Sequence, residues 1–166
     1  NRAKDGNTTS HDEMGRKTIF DVVKIKQRLF SVGRLDRNTT GALLITNDGE
    51  MANRLMHPRY KVPRLYKAKL DSPLQTQHAS QIARGVELDD GPTQPCELMI
   101  DPNDNTVVLI EIYEGRNREV RRLFEHFGYD VRRLDRKQYG TLTTRGLARG
   151  EYRHLTRSEV LALRKL

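Results

Sequence analysis

Three short stretches of the chain carry side chains that could act together on one substrate. Asp36 stands between two arginines in SVGRLDRNTTGALLITNDGE, Tyr66 lies in RLYKAKL, and Arg121 lies in EGRNREVRRLFEHFG. A carboxylate can act as a nucleophile or general base, a guanidinium can orient it, and a tyrosine offers a flat face and a phenol. Each also has an ordinary explanation, as a turn aspartate, a sheet aromatic or a solvated helix arginine, so separately none of them indicates chemistry.

The elements that must position these residues follow from the hydrophobic pattern. ALLIT, residues 42–46, is typical of a buried strand, and EMANRLMH after it is typical of a short helix that ends before Pro58. RLYKAKL alternates apolar and basic residues, so Tyr66 should face a core while Lys67 faces solvent.

Two helices and a hairpin are predicted in the middle of the chain. A capping box with Ser72 and Gln75 should open a helix that ends at Arg84. CELMI and TVVLIEIY, joined by Pro-Asn-Asp-Asn, are typical of a β-hairpin. EGRNREVRRLFEHFG gives the strongest helical pattern, capped by Asn117 and ended by Gly128.

The helical pattern also predicts which way the arginines of that segment point. At about 100° per residue, Arg121 falls at the border of the apolar stripe, whereas Arg118 and Arg122 point to solvent. A last capping box, Thr156 with Glu159, predicts a C-terminal helix. Strands mixed with intermittent helices and hairpin connections predict an α+β fold with a largely antiparallel sheet.

The charge balance favours a polyanionic partner. The net charge is +8 with a pI near 9.8, which points to nucleic acid first and a membrane surface second. The charges are also segregated: residues 51–69 hold six basic residues and no acid, and residues 85–105 hold six acids and no Lys or Arg. This pattern suggests one surface for an anion, although a merely soluble basic protein is the alternative.

Cysteine and histidine usage argues against metal chemistry. The single Cys96 excludes an intramolecular disulfide and a cysteine-based zinc site, and it fits a reducing intracellular compartment. The five histidines lack metal-ligand spacing, and we expect no metal. Because no apolar run reaches membrane-spanning length and no signal peptide is visible, we also expect no membrane association.

The three stretches, in this order and at these distances, resemble the RsuA/RluB/RluE/RluF family of bacterial rRNA pseudouridine synthases, nearest its RluB-like branch. The resemblance extends from DEMGRKTIFDVV to GLARGEYRHLT. It implies one catalytic domain over residues 1–166, with a bent, mixed, mostly antiparallel sheet, flanking helices and a basic central cleft. Family members usually carry an upstream Lys-Pro-x-Gly strand and a small N-terminal RNA-binding domain. Neither is visible, so we expect an N-terminally truncated chain and a missing edge strand.

The resemblance implies isomerisation of a uridine in ribosomal RNA, with the 23S RNA of the large subunit favoured. In the family the reaction needs no cofactor. The cysteine usage fits a cytoplasmic protein, and because nothing in the sequence suggests an obligate oligomer we expect a monomer. The essential aspartate falls on Asp36, the tyrosine on Tyr66, the basic residue on Arg121, and the apolar residue that closes the pocket on Leu134. Asp36 would attack the anomeric carbon or remove a sugar proton, and both routes stay open.

Other basic residues receive supporting roles. Arg34 is expected to anchor the aspartate loop beside the substrate pocket, and Arg121 is expected within salt-bridge reach of Asp36, with Tyr66 facing both. For six other residues we expect RNA contacts, with a solvated charge as the alternative for each: Arg37, Arg54, Arg59, Lys61, Lys67 and Arg118. Arg37 could also fill the space left by a flipped base.

Two other functions fit part of the pattern. A non-catalytic RNA-binding or ribosome-assembly module on the same fold would explain the basic segments but does not need a carboxylate aimed at an anion. A synthase acting on 16S rRNA of the small subunit would carry the same motifs. A nuclease is disfavoured because the clustered carboxylates or histidines of metal-assisted cleavage are missing.

Overall fold

The computed structural model describes residues 1–4 and 28–166, and the predicted apolar segment TIFDVV lies outside them. The strands in this part are β1 (Phe30–Ser31), β2 (Thr39–Gly41), β3 (Ile45–Thr46), β4 (Arg64–Leu70), β5 (Glu87–Leu88), β6 (Gly91–Pro92), β7 (Glu97–Ile100), β8 (Val107–Ile112), β9 (Val131–Tyr139) and β10 (Leu142–Thr143). The helices are α1 (Gly49–Met56), α2 (Thr76–Arg84), α3 (Glu119–Glu125) and α4 (Arg157–Arg164), with a 3₁₀ turn at Pro58–Tyr60.

A six-stranded sheet organises these elements. Its order is β10-β9-β4-β8-β7, and β2 also pairs with β9. The β2–β9 pair is parallel, whereas the other pairs are antiparallel. This mixed, mostly antiparallel sheet with flanking helices confirms the expected α+β class.

The central strand β4 shows why the sheet has one dry and one wet face. Ala68 and Leu70 are fully buried, while Lys67 is exposed and Lys69 is half-buried. Tyr66, which points the same way as Ala68, is partly buried and packs against the main core. The alternation predicted for RLYKAKL is therefore confirmed, as expected for an antiparallel sheet with one solvated face.

Two hydrophobic clusters lie within the part of the chain that the structure describes. The main cluster lies on the Ala68 face of the sheet, where Ile82 of α2 and Val120, Leu123 and Phe124 of α3 pack against the strands. The second cluster joins α1 and α4 to Tyr139 at the end of β9. Burial of these apolar side chains is the main stabilising contribution, at about 25 cal/mol per Å².

The expected single strand at ALLIT is wrong. The chain forms β2 before it and β3 at its end, while Ala42 and Leu44 are buried outside regular strands. Gly41 explains the break, because it adopts a φ of +115° and lies directly against the backbone of Arg136. The chain leaves the parallel pairing with β9 there and β3 pairs with β1 instead.

Two of the predicted helix caps are also wrong. Helix α2 begins at Thr76 without a side-chain cap, because Leu74 is buried and its amide already donates to Asn105 O. Helix α3 begins at Glu119, after Arg118 in the left-handed region, rather than at a cap on Asn117. The Thr156–Glu159 capping box is present, Asp48 caps α1, and Gly85 closes α2.

The first residues of the chain pair with β2 at one position but form no strand there, so the expected loss of an edge strand stays a prediction. Arg2 forms an isolated antiparallel bridge with Gly41, with backbone hydrogen bonds of 2.8 and 3.0 Å in the two directions. These residues cover the free edge of β2, which would otherwise expose unpaired backbone groups. Among the residues that the structure describes, no helix is long and apolar enough to cross a membrane.

Replacing Gly41 with alanine should destabilise the protein strongly. A Cβ at this position would lie 2.2 Å from Arg136 O, and φ there is +115°. Gly146 also has a positive φ, +83°, but a Cβ there would meet nothing within 4 Å, so Gly146→Ala is the matched control. We expect a loss of about 3 kcal/mol or more for Gly41→Ala and about 1 kcal/mol for the control, measured by urea unfolding. Equal losses would show that the contact with β9 does not constrain residue 41.

Candidate active site

Asp36 lies in the loop that leads from β1 into β2. Its backbone carbonyl accepts a hydrogen bond of 2.9 Å from Thr39 N, which closes a tight turn. Its side chain is 29% exposed, so the carboxylate is reachable from solvent, whereas Leu35 and Thr39 of the same loop are buried. Because β2 runs parallel to β9, this turn lies beside the start of β9.

Arg2 binds the backbone of the Asp36 turn. Its guanidinium donates to Asp36 O at 2.5 Å, to Thr39 O at 2.6 Å and to Arg37 O at 3.1 Å, and the residue is 6% exposed. Buried carbonyls need hydrogen-bond donors, and one fixed guanidinium supplies several. Arg2 therefore sets the position of the turn that carries Asp36.

Arg121 holds the same turn from the other side. One terminal nitrogen donates to Asn38 O at 3.2 Å and the other donates to Val131 O at 3.1 Å. The residue is 8% exposed, so its predicted position at the border of the apolar stripe is confirmed. Burial and the charge of Arg118 lower the pKa of Arg121, whereas the charge of Asp36 raises it. Arg121 thus joins helix α3, the Asp36 turn and the start of β9.

The expected ion pair between Asp36 and Arg121 is wrong. The guanidinium that faces the carboxylate is that of Arg118, at 4.0 Å from Asp36 Oδ2. Arg121 lies deeper and has its terminal nitrogens on backbone carbonyls. Arg118 reaches Asp36 because it sits at the start of α3 with a φ of +52°, a conformation that few non-glycine residues adopt.

Leu134 lies on β9, which pairs with β2, and Tyr66 lies on β4, which pairs with the other side of β9. Leu134, 5% exposed, is opposite Thr39 of β2 on one side and Ala68 of β4 on the other. Tyr66 shares the sheet face of Ala68, the face against which α3 packs. In the register Tyr66 is level with Arg136 and Gly41, two residues beyond the level of Leu134, so the expectation that Tyr66 faces Asp36 and Arg121 stays a prediction.

A network of charges fixes the segment before α3. Arg122 makes two bonds to Asp90, of 2.8 and 3.1 Å, and the same interaction lowers the pKa of Asp90. Arg116 donates to Gly91 O at 2.9 Å and to Pro92 O, and it lies 3.3 Å from Glu114. The β5–β6 hairpin thus holds both ends of the turn that carries Arg118.

A buried carboxyl lies at the start of the same helix. Glu119 is 4% exposed, and burial followed by the charge and hydrogen bond of Glu114 raises its pKa to about 8. At neutral pH Glu119 is therefore mostly protonated, and it adds little negative charge beside Arg118. The carboxylate that shares the Arg118 guanidinium with Asp36 is Glu125, at 3.7 Å from its other terminal nitrogen.

Arg34 is exposed and forms no hydrogen bond or ion pair with any described residue, so its expected role as the anchor of the aspartate loop is wrong. Arg2 performs that role.

The predicted RNA contacts have few partners of their own. Arg54 donates to Leu166 O at 3.1 Å, and Arg59 lies over the ring of Tyr60. All six candidate RNA contacts are exposed: Arg37, Arg54, Arg59, Lys61, Lys67 and Arg118.

Sequence reasoning missed Arg2 and Asp90. Arg2 stands in a polar, turn-rich start with no local signal, and it becomes meaningful only when the chain folds back on β2. Asp90 stands in the acidic segment 85–105. The segregation of its charges was visible in the sequence, but the arginines that pair with Asp90 were not.

Among residues 1–4 and 28–166 no group of three potential ligands could hold a metal ion. Burial raises the pKa of the Cys96 thiol to about 12, which disfavours thiolate chemistry.

Comparison with known proteins defines the class first. The model of the family described as RNA pseudouridylate synthase matches residues 7–126, and the chain belongs to this family of RNA-modifying isomerases. A crystal structure titled pseudouridylate synthase superimposes with a TM-score of 0.90 at 32% identity, covering 98% of this chain and 71% of that one. The Nop10–Cbf5 complex of the archaeal box H/ACA sRNP shares the fold, with a TM-score of 0.50 at 16% identity.

The curated relatives show which members of this family the chain resembles. The chain is 43% identical to ribosomal large subunit pseudouridine synthase B of Bacillus subtilis, covering 96% of this chain and 67% of the relative. It is 44% identical to the protein of that name from Vibrio cholerae, covering 95% and 51%, and 41% identical to an uncharacterized RNA pseudouridine synthase of Aquifex aeolicus, covering 91% and 62%. The chain therefore spans about half to two thirds of these relatives. The expected family and its RluB-like branch are confirmed.

Replacing Arg2 with alanine should loosen the Asp36 turn. The change removes donors to three carbonyls of that turn, and we expect a loss of about 3 kcal/mol in the free energy of unfolding. Arg34→Ala is the matched control because this arginine stands in the same loop but is exposed. Hydrogen exchange of the amides of residues 36–41 should accelerate in Arg2→Ala alone. Protection that stays unchanged would contradict the positioning role of Arg2.

The buried Glu119 should make stability depend on pH. Because its pKa is raised from 4.5 to about 8 on folding, the folded state holds a proton that the unfolded state releases. The free energy of unfolding should therefore fall as pH rises from about 5 to about 8 and level off above that range. Glu119→Gln should remove this component, so the variant gains stability relative to the native protein at pH 8. Parallel pH profiles in denaturant unfolding would contradict the assignment.

Proposed function

We propose that the protein isomerises a uridine to pseudouridine in ribosomal RNA, and that its substrate is the RNA of the large subunit. The observation that carries the proposal is the Asp36 carboxylate, which is reachable from solvent and faces Arg118. The turn that carries Asp36 is held by two buried arginines, Arg2 and Arg121. Family membership defines the reaction class, and the names of the Bacillus subtilis and Vibrio cholerae relatives favour the large subunit.

Asp36 is the proposed reactive group. Its carboxylate would attack the anomeric carbon of the target nucleotide or remove a nearby sugar proton, so that the bond from that carbon to the uracil nitrogen breaks and the uracil leaves with the electron pair. The uracil then turns and one of its carbons bonds to the same anomeric carbon, which releases the carboxylate or returns the sugar proton. The base carbon loses its proton, and the freed nitrogen gains one. A rigid turn suits either route, because a displaced carboxylate loses the short approach to the sugar that the reaction needs. Arg118 would orient the carboxylate, and Arg121 would keep the Asn38 carbonyl and the turn in place.

Tyr66 and Leu134 would form the base pocket. A uracil inside a stacked RNA segment is out of reach, so it must leave the stack to meet Asp36. Tyr66 offers a flat ring for stacking, and Leu134 supplies an apolar wall between the strands of Asp36 and Tyr66. Arg37, beside Asp36, would hold a phosphate or fill the space of the flipped base. The basic side chains of Arg54, Arg59 and Lys61 would contact the RNA backbone at more distant points.

Asp36→Asn should abolish turnover while the protein stays folded. The substitution keeps the shape of the side chain but removes the carboxylate, so we expect the rate of pseudouridine formation to fall at least about 1,000-fold. The assay uses a transcript of large-subunit rRNA, with pseudouridines mapped at single-nucleotide resolution. Asp101→Asn, in the β7–β8 turn, is the control, since its Oδ1 only accepts a bond from Asn103 N and asparagine can keep that bond.

The same assay decides between enzyme and binding module. An enzyme should lose turnover in Asp36→Asn and keep most of its RNA affinity. A native protein that binds the transcript without forming pseudouridine would support the binding module instead. Turnover retained in Asp36→Asn would refute the assignment of the reactive group. A parallel assay with a small-subunit rRNA transcript tests the substrate: pseudouridine formed there and not in the large-subunit transcript would refute the large-subunit assignment.

A further inference from the structure

The wet face of the sheet carries a basic groove that the reaction described above does not use. The groove encloses about 520 Å³ and lies on the side of β4 opposite to Tyr66, because Lys67 and Lys69 alternate with Tyr66 and Ala68. Five cations and two carboxylates line it: Lys4, Lys67, Lys69, Arg133, Arg149, Asp104 and Asp135. The groove thus has a surplus of positive charge contributed by four separate parts of the chain.

Three of the five cations have no partner in the part of the chain that the structure describes. Lys4, Lys67 and Arg133 form no hydrogen bond or ion pair there. Lys69 is held by Asp104 at 3.0 Å, and Arg149 is held by Asp135 at 2.7 Å. Unpaired cations that converge in a concave surface create a positive potential that attracts anions.

Two cations of the groove stand directly opposite each other: Lys69 of β4 and Arg133 of β9, in the antiparallel register. Like charges at opposite positions of neighbouring strands destabilise a sheet unless an anion lies between them. Asp104 holds Lys69, so Arg133 is the member of this pair that has no partner among the described residues.

Asp135, one of the two acids in the groove, does not neutralise Lys67. Asp135 is opposite Lys67 in the register, but its carboxylate is already bound by Thr40 at 2.5 Å, Lys137 at 3.0 Å and Arg149 at 2.7 Å. These contacts lower the pKa of Asp135 even though burial opposes the shift. With the carboxylate occupied, the Lys67 ammonium stays available for another anion.

We propose that this groove binds the phosphodiester backbone of an RNA strand that flanks the target nucleotide. The proposal rests on the proposed function, because it takes the partner to be the RNA substrate. Strand β2 connects the two sites: Asp36 stands three residues before it, and Thr40 within it lines the groove. Lys67 and Lys69 are about 6.6 Å apart along the strand, a spacing that suits successive phosphates of an extended chain. The RNA would then pass around the β2 edge and contact both faces of the sheet.

The test compares two double variants of equal charge. Lys67→Ala with Arg133→Ala removes the two unpaired cations of the sheet. Arg84→Ala with Arg157→Ala removes two exposed arginines on α2 and α4, which also form no hydrogen bond or ion pair with described residues. Binding to a transcript of large-subunit rRNA is measured by filter retention between 50 and 300 mM salt. Over this range salt screens exposed charges increasingly strongly. The rate constants of pseudouridine formation are measured on the same transcript.

We expect the groove variant to bind the transcript about tenfold more weakly than the control variant, with KM raised in parallel and kcat within about twofold of the native value. The slope of log affinity against log salt should fall by about 1.4, which corresponds to two lost phosphate contacts on a single strand. Its unfolding midpoint should stay the same or rise, because the repulsion between Lys69 and residue 133 disappears.

The outcomes separate this proposal from the proposed function. Equal affinity and equal salt slope in the two double variants would overturn the groove as an RNA site, even if the native protein makes pseudouridine. A native protein that makes no pseudouridine would refute the proposed function, while the binding comparison would still decide whether RNA occupies the groove. A groove variant that loses kcat with unchanged KM would also overturn the proposal, since it would place these residues in catalysis.

Discussion

The structure depends on the need to satisfy the buried backbone carbonyls of the Asp36 turn. The Thr39 carbonyl accepts a buried hydrogen bond, and those of residues 36–38 accept part-buried ones, so leaving these oxygens unpaired would be costly. Arg2 and Arg121 supply the donors from opposite sides, and both are themselves nearly buried. A reactive carboxylate can therefore project into solvent from a turn whose backbone has little freedom.

The same requirement explains how distant segments converge. Arg121 belongs to α3, whose preceding turn is fixed by Asp90 through Arg122 and by the carbonyls of the β5–β6 hairpin through Arg116. That turn presents Arg118 to Asp36. The acidic segment 85–105 thus provides an anchor for the arginines near the reactive group, so its separation from the basic segments has a structural purpose.

The two faces of the sheet differ in composition and in proposed role. The face that carries Tyr66 and Leu134 packs against α3 and holds the apolar residues near Asp36. The opposite face is polar, with Lys67, Lys69 and Arg133 around a groove. Period-two alternation makes this possible, because neighbouring residues on one strand serve a dry core and a wet, charged surface.

The sequence by itself determined the fold class, the family, the alternation of β4, helix α1 and the capping box of α4, since these depend on local periodicity and on motifs that persist in any context. It also determined that Arg121 lies at the border of its helix. Only the tertiary structure decided that Arg118 faces Asp36, that Arg2 anchors the loop in place of Arg34, and that the predicted strand at residues 42–46 is split. Those features arise from contacts between residues 34 to 94 positions apart, such as Arg2 with Asp36 and Arg136 with Ala42. No local pattern encodes which of several arginines will meet a given carboxylate or carbonyl, because that choice is made by packing and by the satisfaction of buried polar groups.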